Sequence, residues 1–187
     1  CLAFSKAPRR HLTAADFLRT PWKNGGGETV QLAIFPDGAG LDDFTWRIST
    51  AGIDHNGSFS LFAGIDRSLL VLSGAGVVLD IDGARHELTT NSPPLRFSGS
   101  SRTSAELVAG PVTDFNVMSR SGLAAHTVSR MTKCETASTR SGFAFVFAVS
   151  SARLTGIDLA PGDLLVLAPG EAVTLETGSA LQGNVIS

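Results

Sequence analysis

Tyrosine is absent from the sequence, and only two of its 187 residues, Cys1 and Cys134, are cysteines. Because these two stand alone without a CxxC spacing, they indicate neither a disulfide framework nor a cysteine-ligated metal, and they suit a reducing compartment. Long apolar runs are also lacking, since the longest, residues 143–149, is far short of the roughly 20 residues that cross a bilayer. The first residues show neither the charged nor the apolar part of a secretory signal. We therefore predict a cytoplasmic protein with no membrane partner.

Lysine is scarce, and no basic stripe is present. The three lysines and twelve arginines are scattered, and the formal net charge is −2. A surface that binds a phosphate backbone needs clustered positive charge, so a nucleic-acid partner is not expected. The composition, with 43% hydrophobic and 17% charged residues, is that of a folded globular chain.

Histidine clusters are missing as well. The four histidines lie far apart and form no HxH, HxxxH or HxxE pattern; they are His11, His55, His86 and His126. Scattered ligands can converge in a folded chain, but the usual spacing of a metal site is not there. We therefore expect no metal and no other cofactor.

What the sequence does contain is period-two alternation of apolar and polar residues. Val30, Leu32 and Ile34 alternate with polar or small residues, and Val77 to Ile81 alternates up to the two-residue hairpin signal Asp82-Gly83. The same pattern predicts strands at 29–35, 44–50, 69–73, 77–81, 84–88, 96–97, 105–108, 112–119, 128–134, 143–149, 164–167 and 173–176. A dozen short strands between turn residues predict an all-β sandwich or barrel.

Helix and boundary signals are few. Thr13 and Asp16 have the spacing of a capping box, which predicts one short helix before Pro21. The small-residue segment 119–126 is the best internal boundary, which divides the chain into domains at 1–120 and 121–187.

The first segment with chemical potential is residues 21–29, which contain Gly25, Gly26 and Gly27 in succession. Consecutive glycines allow backbone N–H groups to turn toward an anion. The segment lacks the GK[S/T] ending of a nucleotide P-loop, and a strand rather than a helix follows it. An ordinary hairpin loop fits the composition equally well.

The second segment is residues 44–49, where Arg47 shares a strand face with Ser49. If that face looks into a barrel, the guanidinium can bind a carboxylate through two parallel hydrogen bonds. The alternative, an arginine on the solvent face, is the commoner arrangement.

The third segment, residues 57–68, holds Phe59 and Phe62, which either wall a cavity or belong to the core. Ser60, with His55 and Asp66, is rejected as a nucleophilic triad because no GxSxG motif surrounds the serine. In the fourth segment, residues 114–120, alternation places Asp114, Asn116 and Met118 on one face. That face either lines a cavity or is exposed.

These segments together resemble the HutD/Ves family. The matching words are 22–27 with Thr29, then 46–49, 57–67, Leu72 with Gly74, and 114–118, in the family order over residues 21–119. The resemblance implies two cupin-like (jelly-roll) β-barrels in tandem, a bicupin with very little helix and without the metal-binding histidines of enzymatic cupins. It also implies a bacterial protein of histidine utilisation that senses or limits flux, with N-formylglutamate or a related intermediate as ligand, or a Ves-like role in stress. No catalytic activity is established for the family.

The first of three hypotheses is a non-catalytic binding protein for a small anionic metabolite. Cations would neutralise the ligand, polar side chains would orient it and aromatic rings would wall it. The expected ligand-binding residues are Trp22, Lys23, Asn24, Gly25, Gly26, Trp46, Arg47, Ser49, Phe59, Ser60, Phe62, Asp66, Arg67 and Asn116.

The second hypothesis is a metal-independent isomerase or lyase acting on a small carboxylate. Its general acid or base would come from Lys23, His55, Asp66 or Asp114. The third hypothesis is a regulatory interaction protein without a small ligand. A homodimer is compatible with all three.

Overall fold

The computed structural model describes residues 9–22 and 27–186, and this part of the chain contains β-strands and no helix. The first ten strands are β1 (Arg10–Leu12), β2 (Leu18–Pro21), β3 (Gly27–Phe35), β4 (Trp46–Ile53), β5 (Gly57–Ser58), β6 (Ile65–Ser73), β7 (Val77–Ile81), β8 (Ala84–Leu88), β9 (Leu95–Ser98) and β10 (Thr103–Leu107). The other nine are β11 (Val112–Arg120), β12 (Ala125–Met131), β13 (Thr136–Ser138), β14 (Phe143–Ala148), β15 (Ala152–Leu154), β16 (Ile157–Leu159), β17 (Leu164–Leu167), β18 (Ala172–Thr177) and β19 (Ala180–Ile186). The all-β prediction is confirmed.

The strands divide into two compact units. The first unit spans residues 18–123, and the second contains residues 9–17 together with 124–186. The change of unit at Leu123 falls close to the sequence boundary predicted at 120. Residues 9–17 precede that boundary, but their strand β1 pairs with β17 and so belongs to the second unit.

The first unit has two antiparallel sheets. The larger has the order β2-β3-β4-β11-β6-β9, and the smaller has the order β5-β10-β7-β8. Alternate residues of both sheets form an apolar core that includes Ile53, Leu69, Val71, Val77 and Leu79, each at most 1% exposed. Two sheets that bury their inner faces against each other form a β-sandwich.

The second unit has a similar plan. Its five-stranded sheet has the order β1-β17-β14-β19-β12, and its four-stranded sheet has the order β13-β18-β15-β16. Its core is aliphatic and includes Val146, Leu154, Leu165 and Leu167, each with 0% exposure. In both units the strand orders are those of open sheets, and within the described residues no sheet closes into a ring.

The predicted hairpin at Asp82-Gly83 is confirmed. Strands β7 and β8 have the predicted bounds and pair antiparallel. Asp82 and Gly83 both have positive φ, 51° and 89°, as a two-residue type I′ turn requires. The Gly83 N–H donates to Asp80 Oδ1 at 2.8 Å and closes the turn.

The helix predicted to start at Thr13 is wrong. The capping interaction exists, because the Thr13 N–H and hydroxyl both donate to Asp16 Oδ2, at 2.9 and 3.2 Å. It closes a single turn, with the Asp16 N–H donating to the Thr13 carbonyl at 2.9 Å. Strand β2 begins at Leu18 and pairs with β3, which leaves no residues for further helical turns. Within the described residues, no helix is long and apolar enough to span a membrane.

Candidate functional site

Polar side chains occupy one face of four neighbouring strands in the six-stranded sheet. In register, Met118 of β11 stands between Arg47 of β4 and Arg67 of β6, and Asn116 stands beside Ser49. Alternation on a strand keeps residues two apart on the same face, so Asp114, Asn116 and Met118 project together. The sequence prediction that these three share a face is consistent with this register.

These side chains line a cavity of about 710 Å³ in the first unit. A volume of this size is in the range of small-molecule sites. The described residues around it come from the polar face, the β2 edge and two loops; they are Leu18, Thr20, Pro21, Trp22, Thr29, Gln31, Ala39, Gly40, Leu41, Arg47, Ser49, Ala51, Ser58, Phe59, Ser60, Phe62, Arg67, Asp114, Asn116 and Met118.

Arg67 is the most enclosed cation of the cavity, with an exposure of 5%. Its guanidinium lies 5.2 Å from the Phe59 ring centroid, 5.8 Å from that of Phe62 and 5.1 Å from that of Phe97. Its Nη2 donates to Asn116 Oδ1 at 3.0 Å, and its buried Nε has no hydrogen-bond partner among the described residues. Burial lowers the pKa of Arg67 to about 10, Asp114 opposes this shift and Arg47 adds to it. Arg67 therefore stays charged at neutral pH.

Arg47 supplies the second positive charge. It is 8% exposed, and its Nε donates to Gln31 Oε1 on β3 at 2.9 Å. Burial lowers the pKa of Arg47 from its usual value. Since an arginine pKa starts far above neutrality, the side chain remains a cation. The solvent-facing alternative for this arginine is excluded by its burial.

Asp114 is the one acidic side chain among the described residues that line the cavity. It is 1% exposed, and its Oδ1 accepts hydrogen bonds from the Ala51 N–H at 3.1 Å and from Asn116 Nδ2 at 2.8 Å. Burial raises the pKa of Asp114 to about 7, although Arg67 and these two hydrogen bonds act in the opposite direction. The described lining of the cavity therefore carries two positive charges and one carboxyl group that ionises near neutrality, so its field favours an anion.

Trp22 is held at the cavity by two hydrogen bonds. Its indole Nε1 donates to Thr29 Oγ1 at 2.7 Å, and its backbone N–H donates to the Gly27 carbonyl at 2.9 Å. A Cβ at Gly27 would lie 1.9 Å from the Gly52 carbonyl oxygen and 3.3 Å from the Trp22 ring. The third glycine of the run is therefore required by the close approach of strands β3 and β4.

Eight of the residues predicted from sequence line this cavity: Trp22, Arg47, Ser49, Phe59, Ser60, Phe62, Arg67 and Asn116. Two do not. Trp46 is 3% exposed and its ring stacks on Phe35, with 6.0 Å between centroids. Asp66 accepts a hydrogen bond from Ser121 at 3.2 Å and pairs with Arg96 at 3.6 Å, so it holds neither cavity arginine. Lys23, Asn24, Gly25 and Gly26 lie outside the described residues.

The physical reason that Trp46 and Asp66 are elsewhere is strand alternation. Each is the immediate neighbour of a cavity arginine, and neighbours on a strand point to opposite faces. His55, a candidate base in the sequence, is exposed and is not part of the cavity lining. Of the described acid or base candidates, only Asp114 lines the cavity.

Gln31 and Thr29 were missed as cavity residues, although they alternate with the apolar face of β3. Both residues stand before the β-bulge of β3 and pair in register with Ala51 and Ser49, so they share the polar face of β4. Alternation separates the two faces of a strand, but which face lines a cavity depends on the neighbouring strand and cannot be read from alternation alone. Among the described residues, no group of three or more His, Cys, Asp or Glu side chains is placed to hold a metal ion.

A family model matches most of the chain, and two curated relatives match somewhat more than half of it. The model of the HutD family matches residues 14–183. An uncharacterized 21.2 kDa protein in the hutC 3′ region of Pseudomonas putida is 43% identical over 107 residues, which are 57% of this chain and 56% of that protein. Protein Ves of Citrobacter koseri is 40% identical over 101 residues, 53% of this chain and 51% of its own. The chain thus matches about half the length of these curated relatives.

Solved structures agree with these matches. HutD from Pseudomonas fluorescens SBW25, described for a formate condition, has a TM-score of 0.86 at 31% identity and covers 95% of this chain and 98% of its own. A cupin 2 conserved barrel domain protein from Leptotrichia buccalis has a TM-score of 0.56 at 12% identity, over 98% of this chain and 99% of its own, which shows the fold alone. With all-β units and these neighbours, the fold is cupin-like, and the chain belongs to the HutD family.

Proposed function

We propose that the cavity of the first unit binds a small anionic metabolite through a carboxylate, and that the protein is a non-catalytic sensor or limiter of flux in histidine utilisation. The observation that carries the proposal is the pair of buried arginines, Arg47 and Arg67, which flank Met118 on one face of the sheet. Burying two cations is costly unless an anion compensates them. Asp114 supplies at most one negative charge, so the described lining keeps a net positive charge that suits an anionic ligand.

The chemistry of the lining fits a short carboxylic acid. Arginine binds carboxylates through paired charge-assisted hydrogen bonds, and the rings of Phe59, Phe62 and Trp22 offer apolar walls. The HutD structure from Pseudomonas fluorescens is described for a formate condition, and formate is the simplest carboxylate. The hutC location of the Pseudomonas putida relative supports a link to histidine breakdown. N-formylglutamate, which has two carboxylates and a formamide, is the ligand we propose.

We further propose that each unit is one cupin-like barrel, so that the chain is a bicupin, and that it acts in the cytoplasm. Each unit has a large sheet facing a four-stranded sheet, which supports the assignment of one barrel to each.

Thermal denaturation with N-formyl-L-glutamate, glutarate and formate tests the proposal. A ligand that binds only the folded state stabilises it by RT ln(1 + [L]/Kd), about 2.7 kcal/mol at a hundredfold excess over Kd. We expect a rise in Tm with N-formyl-L-glutamate that is lost in Arg47→Ala. The matched control is Arg85→Ala, because Arg85 is an exposed arginine of the same unit that pairs with Glu106 away from the cavity lining. An unshifted Tm in the natural protein, or a full shift in Arg47→Ala, contradicts the proposal.

A second candidate function is a metal-independent isomerase or lyase acting on a small carboxylate. It is favoured by Asp114, because a carboxyl group with a pKa of about 7 in a cavity suits a general acid or base. Proton NMR of the same compounds during prolonged incubation distinguishes the two functions. Turnover that disappears in Asp114→Asn would establish the enzyme, and unchanged spectra would leave the binding protein.

A further inference from the structure

We infer that Asp114 sets the ligand specificity of the cavity: its occupant must join a carboxylate, bound at the arginines, to an N–H group that donates to Asp114. The ligand class is therefore an N-acylated or otherwise N–H-bearing small acid rather than a plain dicarboxylate. This inference rests on the proposed binding function and identifies the residue that selects the ligand.

The first step of the argument is the fixed orientation of the Asp114 carboxylate. Both of its hydrogen bonds within the described residues end on Oδ1, from the Ala51 N–H and from Asn116 Nδ2. The backbone N–H of Ala51 on β4 and the side chain of Asn116, which lies on β11 with Asp114, hold the carboxylate from two directions. Since Asp114 also lines the cavity, Oδ2 is the oxygen left for an occupant.

The second step is the fixed orientation of Asn116. Its Oδ1 accepts from Arg67 Nη2 at 3.0 Å, and its Nδ2 donates to Asp114 Oδ1 at 2.8 Å. A flipped amide would set N–H groups against the guanidinium and oxygen against the carboxylate, so both contacts would be repulsive. The amide of Asn116 therefore bridges the two charged groups, with the Arg67 cation on one side and the Asp114 acceptor on the other.

The third step is the absence of another acidic group in the described lining. Arg47, Arg67 and Asp114 are its titratable side chains, and Asp114 alone among them can accept a hydrogen bond when it is ionised. An occupant without a donor at this place leaves a buried carboxylate oxygen unpaired. Sites built to hydrogen-bond a ligand N–H or O–H discriminate strongly against analogues that lack it. A second carboxylate at the same place would add repulsion between like charges.

Asp114→Asn replaces one carboxylate oxygen with an amide NH₂ group and so exchanges an acceptor for a donor. The asparagine has nearly the shape of the aspartate, and its Oδ1 can still accept from Ala51 and Asn116. The atom presented to the cavity becomes an N–H donor instead of an acceptor. The variant should therefore invert the preference of the site rather than remove the site.

The experiment is isothermal titration of a matched ligand pair, N-formyl-L-glutamate and the ester in which oxygen replaces its N–H. In the natural protein we expect the amide to bind at least tenfold more tightly than the ester, which corresponds to about 1.4 kcal/mol. In Asp114→Asn we expect that ratio to fall below one. Asp54→Asn, the same change at an exposed position outside the cavity lining, should leave the ratio as it was.

A measurement on the natural protein provides an independent check if the variant does not fold. Between pH 6 and pH 8 the ratio of amide to ester affinity should rise about tenfold, because Asp114 changes from mainly protonated to mainly ionised over this range. Arg67 of β6 and Arg47 of β4 are the other charged groups facing the cavity among the described residues, and both remain cationic throughout.

The outcomes separate this inference from the proposed function. Equal affinities of both ligands for the natural protein, or an equal loss of both in an Asp114→Asn variant that circular dichroism shows to be folded, overturn the role of Asp114 while anion binding stands. Binding of neither ligand to the natural protein overturns the proposed function and this inference with it.

Discussion

The two units have similar plans, with two antiparallel sheets each, but the first has a polar cavity beside its apolar core. In the first unit, the inner face of the large sheet carries Arg47, Arg67, Asp114 and Asn116 around a cavity. In the second unit, the inner face of the large sheet carries Ala144, Val146, Leu165 and Leu167, each at most 1% exposed. A pair of β-sheets can thus enclose either an apolar core or a polar cavity, according to the side chains at a few inward positions.

The comparison also shows what a polar interior requires. Aliphatic side chains need only complementary shape, whereas each buried polar group needs a partner. Arg67 has three aromatic rings and an amide, Arg47 has Gln31, and Asp114 has a backbone N–H and Asn116. A buried polar arrangement of this kind contributes less to stability than an apolar core of similar volume.

The largest predicted effect is on the aliphatic core of the second unit. Leu165→Ala should lower the free energy of unfolding by about 2–5 kcal/mol, because it removes buried methyl groups and leaves a cavity. Arg47→Ala should cost much less, since its surroundings already form a cavity. Denaturant unfolding monitored by circular dichroism measures both, and Leu165→Met, which preserves volume, should cost less than about 1.5 kcal/mol. A greater loss in Arg47→Ala than in Leu165→Ala would reverse our distinction between the two interiors.

The second prediction concerns the stability cost of the buried carboxyl. Because the folded-state pKa of Asp114 is raised from 3.8 to about 7, the folded chain binds the proton more tightly than the unfolded chain does. The contribution of this group to stability is therefore fully present below pH 3.8 and is lost as the pH rises through about 7. The loss is at most about 4 kcal/mol, from 1.36 kcal/mol per pKa unit.

Asp114→Asn should remove the loss of folding stability that ionisation of Asp114 causes. Unfolding measured at intervals between pH 4 and 8 should show the variant gaining stability relative to the natural protein as the pH rises. The two proteins differ only at this position, so the difference between the two curves reports on Asp114. A constant difference across this range would show that the Asp114 pKa is not raised.

The third prediction compares close backbone approaches in the two units. A Cβ at Gly27 would lie 1.9 Å from the Gly52 carbonyl oxygen, and a Cβ at Gly183 would lie 2.1 Å from that of Thr127 and 2.4 Å from the Phe145 ring. Alanine at either position should cost about 1–3 kcal/mol through overpacking. Only Gly27→Ala should also weaken ligand binding, because Gly27 contacts Trp22. Gly57→Ala, with no atom within 4 Å of its Cβ, is the control and should be neutral.

The smallest predicted effect is on exposed ion pairs. Arg19 and Glu28 pair at 2.7 Å in the first unit, and Arg153 pairs with Glu176 at 3.3 Å in the second. All four side chains are substantially exposed, so Arg19→Ala and Arg153→Ala should each change the free energy of unfolding by about 0.2–1 kcal/mol. Chemical denaturation at low and high salt checks this, and a larger effect in one unit would show that its pair is more than a surface contact.

Alternation in the sequence located most long strands well. Strands β7, β8 and β17 have the predicted bounds, because their apolar runs end at strong turn residues such as Asp82-Gly83 and Pro161-Gly162. Strand β19 was missed, although it pairs with β14 on one side and β12 on the other, because Gln182, Gly183 and Asn184 break its apolar pattern. Gly183 is there because the Thr127 carbonyl and the Phe145 ring leave no room for a Cβ, a reason that only the folded chain reveals.

Sequence alternation predicted only part of the cavity, because it gives side-chain direction within one strand and not the pairing between strands. Alternation placed Asp114, Asn116 and Met118 on one face and Arg47 with Ser49 on another, but two faces from different strands say nothing about each other. Their pairing in register brings Arg47 and Arg67 to either side of Met118. The chain of contacts from Arg67 through Asn116 to Asp114 follows from that register.

The sequence by itself determined the β-rich architecture, the family and the segments that carry the polar residues, because these depend on local alternation, turn residues and matching motifs. Only the tertiary structure decided which strand faces point inward, that Trp46 and Asp66 point away, and that Asp114 shares a cavity with two arginines. The physical reason is that side-chain direction is local to a strand, whereas burial, partners and pKa depend on strands that are distant in sequence and adjacent in the sheet.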